Sequence, residues 1–235
     1  MRNWEHARLD ELTADIFGFN ASQFGLPQIQ ALRASRMPHT WLTDTNLPAP
    51  AQMDAERRIV VIEDFEDLPF ASSSIDLIVL PHVLEFAKEP HQVLREVERV
   101  LIPEGQVIIS GFNPYSLWGA RQLAGRLTES YFLPEEGEFI SPTRLKDWLK
   151  LLNMEVGDGH LGCYAPPCET EKWLHRFSFM EKAGDKWWPF LGAVYVVQAI
   201  KRVKGMRLIG PAWKTQRATA RQGVPATNRT SINKK

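Results

Sequence analysis

Four short runs of β-branched and aliphatic residues, each bounded by polar or turn-forming sequence, constrain this chain more than any other feature. Ile59–Ile62 reads IVVI, Ile75–Leu80 IDLIVL, Val107–Ser110 VIIS and Ala193–Ile200 AVYVVQAI. Runs so continuous in apolar residues suit strands buried on both faces, as in a mostly parallel sheet. Between the second and third, EPHQVLREVERVL sets Val93, Leu94, Val97, Val100 and Leu101 on one helical face and Arg95, Glu96, Glu98 and Arg99 outside it. Strand, helix and strand in that order form a right-handed crossover, so the two strands run parallel. The expected class is α/β, a sheet covered by helices.

A second helix is expected from Ser141-Pro142, where Ser caps free amides and Pro suits the first helical position. Leu145, Trp148, Leu149 and Leu152 then share a face, and Asn153 is a stop signal. A third spans Leu117–Leu127. In the first 58 residues, Leu9, Leu12 and Ile16 suit a short helix, Phe19–Phe24 and His39–Leu42 suit strands, and Leu47–Ala55 is a loop. Beyond about Lys204 the apolar periodicity is lost.

The formal net charge of zero conceals an asymmetry. Residues 201–235 hold ten Lys or Arg and no Asp or Glu, which leaves the first 200 residues with 18 basic against 28 acidic groups. The expected organisation is a domain over 1–204 and a basic, disordered tail over 205–235. The apolar stretch Leu191–Ile200 is about half of a bilayer span and the first twelve residues hold no apolar signal region, so the expectation is a cytoplasmic protein without membrane association. Two cysteines, Cys163 and Cys168, are too few for a disulfide framework. With His160 and His175 they have the wrong spacing for a common structural zinc site, and no metal is expected.

The chemistry-bearing stretch is VIEDFEDLPFASSSIDLIVLPHVLEF, residues 61–86, followed by VLREVERVLIPEGQVIISGFNP. Asp64-Phe65-Glu66-Asp67-Leu68-Pro69-Phe70, Ile75-Asp76, Val83-Leu84-Glu85, Leu94-Arg95-Glu96 and Arg99 to Gly105 match in order and spacing the pattern of the type 11 group of class I, S-adenosylmethionine-dependent methyltransferases, and the chain resembles that family over roughly Leu12–Ile200. The resemblance implies a Rossmann-like seven-stranded sheet flanked by helices, with the last strand antiparallel. It also implies S-adenosylmethionine as cofactor.

Site residues follow from the same resemblance. Asp64 lies just past a buried strand, where open α/β sheets collect ligands, and its carboxylate can accept from an adenine amino group; a turn aspartate would look alike in sequence. Phe65 adjoins it. Asp44, 19 residues after Gly25, has the spacing of a ribose-binding acid, and also that of a plain loop aspartate. Leu80, Pro81 and His82 close the next strand, beside the place of the transferring methyl group. His82 is the candidate catalytic residue, as a proton acceptor with a near-neutral pKa, and a packed structural histidine is its alternative. Asp76 and Pro103-Glu104-Gly105 are expected to be structural. The first glycine-rich motif is degenerate. It keeps Gly25, but Gln23 stands at the acidic position and Pro27 and Ile29 replace the later glycines.

The function expected is methyl transfer to a small-molecule acceptor. Two alternatives stay open: a non-catalytic, methyltransferase-like binding or scaffold protein, and an RNA methyltransferase recruited through the basic tail. Nothing in the sequence fixes the acceptor or the oligomeric state.

Overall fold

A computed structural model describes residues 1–46, 58–128, 137–165 and 188–203. Seven strands form one sheet in the order β3-β2-β1-β4-β5-β7-β6. They are β1 (Asn20–Phe24), β2 (His39–Asp44), β3 (Arg58–Val61), β4 (Ile75–Pro81), β5 (Leu101–Phe112), β6 (Met154–Gly162) and β7 (Val194–Lys201). The first five are mutually parallel, while β7 inserts antiparallel between β5 and β6. The helices are α1 (Arg2–Ala14), α2 (Pro90–Val100), α3 (Leu117–Thr128) and α4 (Pro142–Leu151).

Strand alternation divides the core into two layers. Ile78, Leu80, Val107, Ile109 and Val197 face α2 and α4, whose Val93, Leu94, Val97, Leu145 and Leu149 are buried against them. Leu77, Val79, Ile108 and Val196 face the other way, under Leu9 and Ile16 from the N-terminal segment and Ile29, Leu32 and Met37 from the connection between β1 and β2. That connection, residues 25–38, holds neither helix nor strand, although a parallel crossover is usually helical. It still covers the sheet as a helix would.

Local chemistry sets the element ends. Ser141 Oγ accepts from the Arg144 amide at 3.3 Å and Pro142 opens α4, while Asn153 at φ +57° ends it. Asp76, at the start of β4, accepts from the Asn20 and Phe19 amides at 2.9 and 3.2 Å and fixes the beginning of β1, a structural role. Pro103-Glu104-Gly105 lies within β5: pairing with β4 jumps from Ile75↔Leu101 to Leu77↔Gln106, and Glu104 takes φ +65°. The expected turn is thus an excursion inside a longer strand. β6, with Gly157, Gly159 and Gly162, has no counterpart among the strands expected from the sequence. Leu47–Ala55, Cys168, His175 and the tail lie outside the described residues.

Candidate active site

The parallel strands end on one side of the sheet, and there the chain leaves two adjoining cavities. The first, of about 390 Å³, is lined by Gly25 and Leu26 after β1, Asp44 and Thr45 at β2, Glu63, Asp64 and Phe65 after β3, and Pro81, His82 and Val83 at the end of β4, with Phe86, Ala87 and Lys88 beyond. Its size suits a drug-sized ligand, and its place is the carboxyl end of an open α/β sheet. The structure thus brings together Gly25, Asp44, Asp64, Phe65, Pro81 and His82. It does not bring Leu80 with them, because Leu80 is fully buried on the α2 face of the sheet. Glu63, Phe86 and Lys88 were not singled out in the sequence, where exposed charged and aromatic residues after a strand carry no distinguishing signal.

Asp44 and Asp64 are each held by a local amide. Asp44 Oδ1 accepts from the Thr45 amide at 2.7 Å and Asp64 Oδ1 from the Glu66 amide at 3.1 Å, so both carboxylates are oriented by their own turns. The Asp64 loop is fastened from outside. Arg99 on α2 donates to the carbonyls of Leu68 and Phe70 at 3.0 and 2.9 Å, and Glu96 accepts from the Leu68 amide at 3.1 Å. Phe65 stacks on Phe24 with ring centroids 6.0 Å apart. Gly25 takes φ +64°, and a Cβ there would stand 3.1 Å from Val83 Cγ2. The backbone therefore approaches the cavity where a side chain would crowd it.

The second cavity, of about 450 Å³, is lined by Arg2, Glu5, Leu26, Gln28, Ile29, His82, Phe86 and Phe112. Leu26, His82 and Phe86 belong to both cavities and form the wall between them.

His82 is the centre of that wall. It stands at φ +54°, one of the few non-glycine residues in the left-handed region. Its Nδ1–H donates to Glu85 Oε2 at 2.8 Å and Nε2 lies 3.3 Å from Glu5 Oε1, all three side chains being buried. Burial alone would lower the imidazole pKa, but the hydrogen bonds and charges of Glu5 and Glu85 outweigh it and raise it to about 9. Glu5 resists its own desolvation through His82 and Ser110, whose Oγ donates at 2.5 Å, and ends below the usual carboxylate range. Glu85 is pushed upward by desolvation, which His82 and a hydrogen bond from the Phe112 amide only partly offset. The Phe112 ring covers the imidazole at 4.2 Å between centroids. At neutral pH the ring is thus an imidazolium with both N–H groups turned to carboxylates, and it has no lone pair with which to receive a proton.

Elsewhere, Trp118 is half-buried and donates its indole N–H to the Ala165 carbonyl at 2.9 Å, a core role. Among the described residues no three His, Cys, Asp or Glu side chains converge on a metal-sized site. None of the described helices is long and apolar enough to cross a membrane.

Residues 34–109 match a family model described as a methyltransferase domain, of the type 11 group. An uncharacterised protein of Escherichia coli K12, YafS, is 34% identical over 160 residues, 68% of this chain and 62% of that protein. The chain therefore spans somewhat under two thirds of this relative's length. Among solved structures, a Haloferax volcanii chain determined in complex with the Trm112 methyltransferase activator superposes with a TM-score of 0.61 at 18% identity, covering 87% of this chain and 92% of that one. A SAM-dependent methyltransferase from Archaeoglobus fulgidus gives 0.60 at 15% identity, covering 86% and 95%.

Proposed function

We propose that this chain is a class I methyltransferase of the type 11 group, as the family-model match over residues 34–109 supports, and that it transfers a methyl group from S-adenosylmethionine to a small-molecule acceptor, with the cofactor in the first cavity and the acceptor in the second. The observation that carries this is the shared wall of Leu26, His82 and Phe86, which sets two cavities side by side at the carboxyl ends of the parallel strands.

The residues present fit the cofactor. A glycine in the left-handed region stands at the cavity wall, two oriented carboxylates face the same space, and aromatic Phe65 and Phe86 offer apolar surface. In our reading Asp44 accepts from the ribose hydroxyls and Asp64 from the adenine amino group, with Gly25, Phe65 and Pro81 completing the cleft. When bound, S-adenosylmethionine supplies an electrophilic methyl on a sulfonium. The chain's own part is to orient the acceptor atom in line with that methyl and exclude water from the wall between them. His82 serves as a positioning residue rather than a base: its two ion pairs tie α1 to the end of β4 and so close the acceptor cavity. Glu5, the carboxylate among the described residues of the second cavity, is held below the usual carboxylate range and is a weak proton acceptor, which favours an acceptor whose nucleophilic atom carries its lone pair without needing deprotonation.

Calorimetric titration with S-adenosylhomocysteine tests the cofactor assignment. Saturable heat is expected from the whole chain, and Asp64→Ala, which removes a charged hydrogen-bond acceptor, should weaken the affinity roughly ten- to a hundredfold. Absence of heat at millimolar ligand would overturn the proposal.

A further inference from the structure

Residues 25–38 cross from β1 to β2 through turns alone, yet Ile29, Ala31, Leu32 and Met37 are buried against the sheet. A helix satisfies its own backbone, whereas buried turns leave carbonyls that need partners from elsewhere. Within the connection the Leu26 carbonyl accepts from the Ile29 amide and the Ile29 carbonyl from the Ala31 amide, both at 2.9 Å, and Gln23 adds side-chain partners to these turns. It is 1% exposed and sits on the same face of β1 as Ala21, directly beneath the connection. Its Nε2 donates to the carbonyls of Ile29 at 2.5 Å, Leu26 at 3.0 Å and Gly25 at 3.2 Å, while its Oε1 accepts from the Ala31 amide at 3.0 Å. Two N–H hydrogens are thus shared among three acceptors spanning five residues, and the far end of the same amide holds Ala31, two residues further on.

We propose that Gln23 is the positioning residue of the cofactor loop, its carboxamide doing the work of the absent crossover helix and setting the shape of both cavities. Gly25 and Leu26 line the first cavity, and Leu26 and Ile29 the second, so all the carbonyls it gathers belong to residues at the site. The chemistry requires an amide. A carboxylate of the same shape would turn an anionic oxygen toward three carbonyl oxygens, which repels where the amide attracts. Gln23 at the position where the related pattern is acidic is therefore coupled to the loss of the later glycines. Pro27 and Ile29 are tolerated because the loop is held from below, not by its own glycine geometry.

The binding arm of the test rests on the first cavity being the cofactor cleft; the exchange arm does not. In the full chain without ligand, Gln23→Glu should raise hydrogen exchange across residues 25–35 at least tenfold at pH 8, with β4 and α2 unchanged. S-adenosylhomocysteine affinity should fall at least tenfold at pH 8. Relative to the unmodified chain it should recover partly near pH 5, where the introduced carboxyl takes up a proton and regains a donor. Gln23→Met, which fills the space without polar atoms, should show the same fast exchange and no recovery at low pH, and it serves if the first variant does not fold. Exchange and affinity equal to those of the unmodified chain in either variant would overturn the proposal. Fast exchange in the variants, with no ligand binding even by the unmodified chain, would uphold the staple and overturn the cofactor assignment.

Discussion

Replacing His82 with Asn should abolish a specific pH dependence of stability. Asn accepts the left-handed backbone at this position, so the substitution removes the imidazolium without adding backbone strain. In the folded chain the His82 pKa is about 9 against an ordinary value of 6.5. A folded pKa above the unfolded one means stabilisation that is complete below pH 6.5 and is lost as pH rises through about 9. At about 1.4 kcal/mol per unit, the difference corresponds to about 3 kcal/mol. For a domain of this size that is on the order of 10 °C in Tm. Thermal unfolding of both proteins between pH 6 and 10 gives the comparison. The unmodified chain should lose this increment between pH 7 and 10 in excess of the variant. The variant should already be less stable at pH 7, because Glu5 and Glu85 remain buried without their cation. Parallel pH profiles for the two proteins would refute the paired imidazolium.

Other expectations test how the cleft is built. Gly25→Ala places a Cβ 3.1 Å from Val83 Cγ2 in a left-handed backbone, and should cost about 1–2 kcal/mol by urea unfolding and weaken S-adenosylhomocysteine binding measured by calorimetry. Arg99→Ala releases the carbonyls of Leu68 and Phe70, and should cost about 1 kcal/mol, since the guanidinium is partly exposed. Ligand affinity should fall several-fold with it, because Asp64 and Phe65 open the released loop. Unchanged affinity in the Arg99 variant would separate that loop from the cleft.

Legibility in the sequence followed the range of the interactions. α2 and α4 were readable because their signals are local: a single apolar face, a proline at the first turn, and a Ser cap three residues from its amide. β4 and β7 were readable because burial on both faces leaves nearly unbroken apolar runs. β6 was not, since its glycines and charges suppress the strand pattern and its pairing comes from β7, some forty residues on. At the site, motif pattern points to Asp64 and Gly25, which line the first cavity, whereas Leu80, singled out from the same pattern, packs with Ile78 toward α2. The Glu5–His82–Glu85 cluster joins α1 to the loop after β4, with Glu5 and His82 77 residues apart in sequence. His82 alone therefore resembled a free base, and only the fold supplied its two partners. Gln23 in the degenerate motif looked like a loss for a similar reason, because its four partners belong to a turn that no local pattern announces.

The insertion of β7 between β5 and β6 also orders events during synthesis. Among the described strands β6 pairs with β7 alone, so when Gly162 leaves the ribosome none of them offers β6 an edge. β5 likewise keeps one edge unpaired until residues 194–201 emerge. Helix α1 is made before the sheet, and its contact from Glu5 to Ser110, 105 residues later, forms no earlier than β5. Joining of β6 to the sheet is thus deferred until β7 has been translated, and the β5 edge that β7 covers stays open through that interval, when protection from edge-to-edge association matters most.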